Sequence, residues 1–208
     1  MIDAPPLDIA RAMAWTDLAG VSVFAASGAL AAARRGLNLV TFVFFAGVTG
    51  MGGGTVRDLL IGAPVFWIRD DRPLIACLAM ALVIWVTPRR FWRPRALDWF
   101  DAVGLAAYSV YGAAKALSCG VPPLPAATMG VFTACLGGII RDVLAGEPSI
   151  LLRPELYVTA AALAAGLFVG LASLGVAVPV AAGVAALAGF ALRATAIVKG
   201  LALPAYRG

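Results

Sequence analysis

The chain carries one pattern of glycines and charged residues twice, at a constant separation of 84 residues. The second copy aligns with the first without insertion or deletion, and a match of that length does not arise by chance. The two halves are therefore expected to share one fold. The matched pairs are Asp17 and Asp101, Gly20 and Gly104, Gly28 and Gly112, Gly53 and Gly137, Gly54 and Gly138, Arg57 and Arg141, Asp58 and Asp142, Gly62 and Gly146, Pro64 and Pro148, and Arg69 and Arg153.

The composition predicts that both copies lie in a membrane. Hydrophobic residues make up 62% of the 208 positions and charged residues 13%, about half the charged share of an ordinary soluble domain. A helix needs about 20 apolar residues to span a bilayer, so the chain has room for six or seven spans and for no soluble catalytic domain. Seven apolar runs fit, near residues 16–33, 38–60, 73–87, 97–118, 124–145, 156–174 and 176–198.

Each repeat contains three of these runs. Because that number is odd, the second copy enters the membrane in the opposite sense from the first, which predicts an inverted repeat. The expected fold class is an all-α integral membrane protein with seven transmembrane helices, an inverted three-plus-three repeat and a seventh helix. We expect one transmembrane domain over residues 1–208, with repeat one at about 16–87, repeat two at about 97–174 and the extra helix at about 176–198.

Basic residues in the loops predict the orientation, because lysine and arginine concentrate on the cytoplasmic side of membrane proteins. Nine fall on one side and three on the other, so the N-terminus is expected outside and the C-terminus in the cytoplasm. The nine are Arg34, Arg35, Arg89, Arg90, Arg93, Arg95, Arg153, Lys199 and Arg207, and the three are Arg11, Arg69 and Arg72.

The residue types that are missing argue against most enzymes. The chain has no histidine, which excludes Ser/His/Asp and Cys/His nucleophile systems and histidine-ligated metals. Its three cysteines, Cys77, Cys119 and Cys135, lack CxxC spacing, so neither a disulfide framework nor a zinc site is indicated. The net charge of +5 is spread over short loops, which favours membrane orientation over nucleic-acid binding. We expect no enzyme, no cofactor, no metal site and no nucleic-acid partner.

The second helix of each repeat carries the candidate site. GMGGGTVRDLLIG at 50–62 and LGGIIRDVLAG at 136–146 place glycines one turn before an Arg-Asp pair. Consecutive glycines break or kink helices, and unwound backbone at membrane depth is tolerated where it lines a wet cavity. Charged residues there also face the interior. We therefore expect broken helices around a pore or binding site at Gly52, Gly53, Gly54, Arg57, Asp58, Gly137, Gly138, Arg141 and Asp142.

The Arg-Asp pairs are predicted to cross between repeats. Adjacent helical residues point about 100° apart, so we expect Arg57 to pair with Asp142 and Arg141 with Asp58. The alternative is purely structural: buried ion pairs lock two helices, and the glycines only permit their close approach.

The first helix of each repeat adds a stripe of residues at helical spacing. The steps of three and four put each set on one helix face, and in the second repeat that face is polar along its length. We expect Ser27, Tyr108, Tyr111 and Lys115 to lie along the pathway. The stripes are Asp17, Gly20, Phe24, Ser27 and Ala31, and Asp101, Gly104, Tyr108, Tyr111 and Lys115.

Purely structural roles are the alternative for several stripe residues. Asp17 and Asp101 are more readily explained as capping or solvating helix ends than as conducting residues. The stripe glycines fit packing contacts, and Lys115 fits equally well a side chain that snorkels to the outer interface. GGxVRDxLxG also resembles the phosphate-binding motif of the tRNA nucleotidyltransferase family, but that family needs a preceding strand, and apolar helices surround both copies here.

These motifs resemble the prokaryotic branch of the TRIC family, the trimeric intracellular cation channels. The resemblance covers nearly the whole chain, with seven helices, an inverted repeat and glycine-rich RD motifs at 52–58 and 137–142. It implies a homotrimer with one pore inside each protomer, conducting monovalent cations (potassium chiefly, and sodium), with the second and fifth helices kinked at their glycines around the pore. It implies no chemical reaction. Some animal members bind anionic phospholipid, so membrane lipid is a further expected partner.

The resemblance also implies a location. Animal members serve the sarcoplasmic and endoplasmic reticulum and have a long Lys-rich C-terminal tail, whereas this chain ends soon after Lys199. We expect the plasma membrane of a prokaryote, with several membrane passes.

Selectivity is where the residues and the resemblance diverge. Two intramembrane arginines alone would favour anions, so cation selectivity would require exposed carbonyls, Asp58 and Asp142, with the arginines held by partners. The alternative function is a secondary transporter of a small zwitterion such as glycine, because similar sequences have been labelled glycine transporters and a broken-helix N-terminus can bind a carboxylate. A structural scaffold would leave the paired RD motifs without a use.

Overall fold

The computed structural model of the chain describes residues 7–92, 95–152 and 155–204, with side chains described from residue 15 onward except at Arg89. The basic residues Arg93, Arg153 and Arg207 of the orientation prediction lie outside the described residues, as does the side chain of Arg11. Seven α-helices follow one another in the described residues: α1 Leu7–Arg35, α2 Leu39–Leu60, α3 Arg72–Val86, α4 Ala96–Ser118, α5 Pro123–Leu144, α6 Val158–Ser173 and α7 Val178–Lys199.

All seven predicted runs correspond to these helices, and the predicted fold class is confirmed. The largest boundary difference is at α1, which begins at Leu7 rather than near residue 16, because the polar segment before the apolar run continues the same helix. Helices α1, α2, α5 and α7 are long and apolar enough to cross a membrane. Helices α3 and α6 are shorter apolar helices, and α4 carries Asp98, Asp101 and Lys115.

Helices α2 and α5 end in the same turn. Gly62 and Gly146 have φ angles of +67° and +64°, the left-handed conformation that glycine adopts without a side-chain clash. The residue after each glycine then donates its backbone N–H to the carbonyl oxygen of Asp58 or of Asp142. This turn sends the chain back toward the helix it has just left, so residues of the following loop can reach the two carboxylates.

The two repeats pack against each other as related halves. α1 contacts α4, and α2 contacts α5. A Cβ placed on Gly20 would meet the ring of Tyr108, and one placed on Gly104 would meet the ring of Phe24. These two contacts map onto each other when 84 is added to the residue numbers. Helix α7, outside the repeat, packs on α4 and α6.

The expected break in α2 and α5 is wrong, because both remain α-helical through their glycines. A Cβ on Gly53 would collide with the backbone carbonyl of Thr133, and one on Gly137 with the carbonyl of Thr49. The glycines therefore let two backbones touch, as in small-residue packing of membrane helices. An uninterrupted helix keeps its backbone hydrogen bonds, which an apolar surrounding demands.

Candidate functional site

The candidate site is a buried polar network between α1, α2, α4 and α5. The stripe faces of α1 and α4 turn toward each other, as the contacts of Gly20 with Tyr108 and of Gly104 with Phe24 require. The Arg-Asp pairs near the C-terminal ends of α2 and α5 meet those stripes from either side. Arg57, Asp58, Asp101 and Arg141 are each at most 1% exposed to solvent, so their charges depend on one another and not on water.

Each arginine pairs with the aspartate that follows it, so the predicted crossed pairing is wrong. Nε of Arg57 donates to Oδ1 of Asp58 at 2.8 Å, and Nε of Arg141 donates to Oδ1 of Asp142 at 2.9 Å. The angle between adjacent Cβ directions does not prevent this, because the long arginine side chain turns its guanidinium group back over the shorter carboxylate.

The second oxygen of each carboxylate holds the loop that follows its helix. Oδ2 of Asp58 accepts the backbone N–H of Phe66 at 3.1 Å. Oδ2 of Asp142 accepts the backbone N–H of Ile150 at 2.9 Å, and residue 150 is the repeat equivalent of residue 66. The two aspartates thus close the same local structure in both halves, which explains why the repeat preserves them with the left-handed glycine turn.

Arg141 has a full set of partners. Its Nη1 donates to Asp101 Oδ1 and to Ser27 Oγ, both at 2.6 Å, and its Nη2 lies 2.8 Å from Asp142 Oδ1. Asp101 is fully buried, so the alternative that it caps or solvates a helix end is wrong. Ser27, predicted on the pathway, lies in this cluster.

Arg57 has a different environment although it occupies the equivalent position. Its Cζ lies 5.1 Å from the ring centre of Tyr111 and 6.0 Å from that of Phe66, within the range of a cation–π interaction. Among the described residues, no group accepts a hydrogen bond from its Nη1 or Nη2. Tyr111 is the repeat equivalent of Ser27, so an aromatic ring stands where Arg141 finds a hydroxyl.

Lys115 joins the Arg57 cluster. Its Nζ lies 2.8 Å from Oδ1 and 2.9 Å from Oδ2 of Asp58, and its side chain is 18% exposed. The structure therefore turns Lys115 inward to a carboxylate, against the alternative of snorkelling to the interface. Its repeat equivalent, Ala31, has no charge, which makes the two halves electrostatically unequal.

Asp17 is held by a tyrosine. The hydroxyl of Tyr108 donates to Oδ1 of Asp17 at 3.0 Å and lies 3.1 Å from the Asp17 backbone carbonyl. Asp17 is only 8% exposed, so it too is a buried carboxylate rather than a solvated helix end. Tyr108 also lies against Phe24 and Tyr111, with ring centres 5.4 and 5.8 Å away.

The remaining predicted glycines lie around these clusters. Gly52 is half-buried and near the side chain of Ile140. A Cβ on Gly54 would meet the ring of Phe66, and one on Gly138 would meet the hydroxyl of Tyr157. All predicted site residues therefore lie in or beside one region, and most of them touch the two Arg-Asp clusters.

The charges of the network nearly cancel, with four acidic and three basic residues. Each buried arginine has at least one carboxylate, which removes the reason for expecting the two arginines to repel cations. The formal charge of the set is negative by one unit. Its members are Asp17, Asp58, Asp101 and Asp142, and Arg57, Arg141 and Lys115.

A cavity of about 130 Å³ leads toward the Arg141 cluster. Arg34, Arg35, Asp98 and Glu147 are among the residues that line its outer part, and Arg141 and Asp142 line its inner part. Nη2 of Arg35 lies 2.8 Å from Oε1 of Glu147, and both side chains are partly exposed. The Arg141 half is thus connected to one end of the helix bundle through charged walls.

Three side chains that the sequence patterns do not indicate border the network. Phe66 was missed because only the turn after α2 brings its ring to Arg57. Tyr157 is buried beside Gly138. Arg193 of α7 is 1% exposed, lies over the Tyr157 ring at 5.3 Å and is 2.8 Å from Glu155. Arginine inside an apolar run is a usable sequence signal, but α7 lies outside the repeat, which indicated the other site residues.

Metal binding has no support in the described part of the chain, where no group of three or more His, Cys, Asp or Glu side chains could hold an ion.

Comparison with known proteins agrees with this description. The family model described as "Glycine transporter" matches twice, at residues 14–89 and 98–173. A UPF0126 membrane protein of Vibrio cholerae is 43% identical over 150 residues, which cover 69% of this chain and 62% of that protein. The UPF0126 inner membrane protein YadS of Escherichia coli K12 is 41% identical over 152 residues, 70% of this chain and 72% of that protein.

Solved structures show the same fold. The TRIC trimeric intracellular cation channel orthologue from Rhodobacter sphaeroides is 42% identical, with a TM-score of 0.85 over 91% of this chain and 99% of that chain. A second structure, described for conductance through TRIC cation channels, is 31% identical with a TM-score of 0.82 over 93% and 96% of the two chains. From the repeat, the fold and these matches, the chain belongs to the family described as glycine transporters, and within it to the prokaryotic TRIC proteins.

Proposed function

We propose that this protein is a monovalent cation channel, selective for potassium, with one pore inside each protomer of a homotrimer. The pore is lined by α2 and α5 beside their glycine crossing and by the facing stripes of α1 and α4. Sodium is a second permeant ion. The proposal rests on the likeness to TRIC cation channels and on the chemistry of the buried network.

The observation that carries the proposal is the charge balance of this network. A pathway lined by unpaired arginines would repel cations. Here each buried arginine lies beside a carboxylate, and the whole set has one formal negative charge more than its positive charges. Charges interact more strongly in a low dielectric than in water, so this excess favours a cation without a fixed metal site.

In the membrane we propose the N-terminus outside and the C-terminus in the cytoplasm of a prokaryote, with the protein in the plasma membrane. With this orientation Lys115 and Arg57 lie toward the outside. The cavity walled by Arg34, Arg35, Asp98 and Glu147 then opens toward the cytoplasm. The relatives described as membrane or inner membrane proteins of bacteria support the location.

Single-channel recording of the purified protein in a planar bilayer tests the function. We expect unitary currents whose reversal potential follows the potassium gradient and not the chloride gradient. A reversal potential that follows chloride would reject cation selectivity. Cross-linking and mass measurement in detergent test the homotrimer separately.

The second candidate function is secondary transport of a small zwitterion such as glycine. It is favoured by the family description and by a buried network that holds charges of both signs, since a zwitterion needs an anionic and a cationic partner. Liposome uptake separates the two functions. A carrier gives saturable uptake of labelled glycine and no unitary currents, whereas a channel gives potassium flux that glycine does not drive.

A further inference from the structure

The unequal partners of the two equivalent arginines point to a ligand site. Arg141 uses Nη1 for Asp101 and Ser27 and directs Nη2 at Asp142. Arg57 is 0% exposed, yet among the described residues neither Nη1 nor Nη2 has an acceptor. Leaving charged N–H groups without an acceptor in a buried place is unfavourable, so an acceptor from outside the chain is expected.

The repeat explains why the chain itself supplies no acceptor. Tyr111 places an aromatic ring where the other half has the hydroxyl of Ser27. The ring attracts the charge of Arg57, but the Tyr111 hydroxyl accepts no hydrogen bond from Nη1 or Nη2. Asp17, the equivalent of Asp101, accepts instead from the Tyr108 hydroxyl. Asp58 is shared with Lys115.

The charge around Arg57 is more favourable to an anion than the charge around Arg141. Arg57 and Lys115 share the carboxylate of Asp58, and the other carboxylate of this half, Asp17, is held by Tyr108, so two cations and two carboxylates balance here. The Arg141 cluster has one cation with Asp101 and Asp142 and is therefore negative. An anion that enters this protein at a buried arginine should bind at Arg57.

The geometry of the Nη1 and Nη2 groups of Arg57 specifies the class of anion. Nη1 and Nη2 of a guanidinium lie in one plane and match the two oxygens of a carboxylate. The rings of Tyr111 and Phe66 lie 5.1 and 6.0 Å from Cζ, which limits the ligand to a small one. Lys115, whose side chain is 18% exposed, adds a second positive charge that attracts the ligand.

We infer that Arg57 is the binding site of a small carboxylate, whose two oxygens accept from Nη1 and Nη2 beside the rings of Tyr111 and Phe66. The inference depends on the buried contacts and not on which solute crosses the membrane, so it stands apart from the proposed channel function.

The test is binding of formate to the purified full-length protein in detergent. Saturation-transfer NMR with formate, and thermal unfolding in potassium formate against potassium chloride at equal potassium, should both show binding to the wild type. Glycine in place of formate distinguishes a zwitterion from a simple carboxylate. Neither measurement depends on ion flux, so a negative binding result is distinct from a failure of the channel proposal.

Two variants localise the site. Arg57→Gln keeps Asp58 paired with Lys115 and should abolish the formate response. Tyr111→Ser copies the hydroxyl of the other half, gives Arg57 an internal acceptor and should weaken formate binding about tenfold. Lack of a formate response in the folded wild type would overturn the inference, and so would an unchanged response in Arg57→Gln. Should Arg57→Gln fail to fold, an unchanged response in Tyr111→Ser is the result that rejects the site.

Discussion

Gly53 lies directly against the backbone carbonyl of Thr133, at the place where α2 crosses α5. The same contact recurs between Gly137 and Thr49, each residue shifted by the repeat length. Two helices from opposite repeats therefore touch through their backbones at two related points. A close crossing of this kind is possible only where one helix presents no side chain, which gives the paired glycines a defined role in placing the two Arg-Asp clusters.

The first prediction concerns this crossing. Gly53→Leu and Gly137→Leu push α2 and α5 apart, because the new Cβ collides with backbone that cannot rotate away. We expect membrane insertion, a loss of about 1 to 3 kcal/mol of stability and no potassium flux from liposomes. Gly138→Leu should behave alike, since its Cβ would meet the Tyr157 hydroxyl at 2.8 Å.

Gly166→Leu is the matched control for the glycine variants. Gly166 lies on α6 with nothing within 4 Å of an added Cβ, so stability and flux should stay near wild type. Normal flux through Gly53→Leu would show that the crossing is not part of the pathway.

The second prediction compares equivalent aspartates. Asp101→Asn removes a charge that Arg141 contacts at 2.6 Å, leaving a buried cation with one carboxylate. We expect a loss of about 3 kcal/mol. Asp17→Asn breaks no ion pair at contact distance and weakens a Tyr108 hydrogen bond at 3.0 Å, with an expected loss of about 1 kcal/mol. Thermal unfolding in detergent ranks them, and an equal or reversed ranking would contradict the assigned partners.

The third prediction tests the pairing of the Arg-Asp motifs. A double-mutant cycle between Arg141→Gln and Asp142→Asn should show coupling, because the two side chains meet at 2.8 Å. The crossed cycle between Arg57→Gln and Asp142→Asn should be additive within about 0.5 kcal/mol. Coupling only in the crossed cycle would restore the pairing that the sequence alone suggested.

The sequence predicted the topology well because the topology is encoded locally. Apolar runs of sufficient length fix the helices, and the constant repeat separation fixes their inverted relation. The steps of three and four from Asp101 to Lys115 correctly placed those residues on one inward face. None of these inferences needs knowledge of how far a side chain reaches.

The wrong predictions share a physical cause, which is that local spacing does not specify the partner. Adjacent Cβ directions could not show that the guanidinium of Arg57 folds back onto Asp58. Consecutive glycines suit both a broken helix and a close crossing, and only Thr133 on the opposite helix decides between them. Phe66 and Arg193 reach the border of the network through a turn and through the helix outside the repeat, and neither connection is present in the repeat pattern.

The fourth prediction concerns orientation. Cys119 is exposed at the end of α4, while Cys77 and Cys135 are buried, so one native thiol reports the topology without background. A membrane-impermeant maleimide should label Cys119 on intact cells. In a Cys119→Ser background, Arg90→Cys should be labelled only after the membrane is permeabilised. Labelling of residue 90 from outside would invert the proposed topology.

The last prediction concerns the residue that makes the two halves unequal. Lys115 adds a cation at 2.8 Å from Asp58, where the equivalent Ala31 adds none. Lys115→Met keeps the aliphatic bulk and removes the charge, and Asp58 retains Arg57 as its partner. The network then becomes more negative by one unit. We expect higher potassium conductance and a reversal potential closer to the ideal potassium value.

Ala31→Lys makes the opposite change beside the Arg141 cluster and should lower conductance. Bilayer recordings of both variants test this prediction, because an effect of charge must raise the conductance of Lys115→Met and lower that of Ala31→Lys. A fall in conductance in both would instead mean that packing at these positions, and not charge, limits the flow of ions.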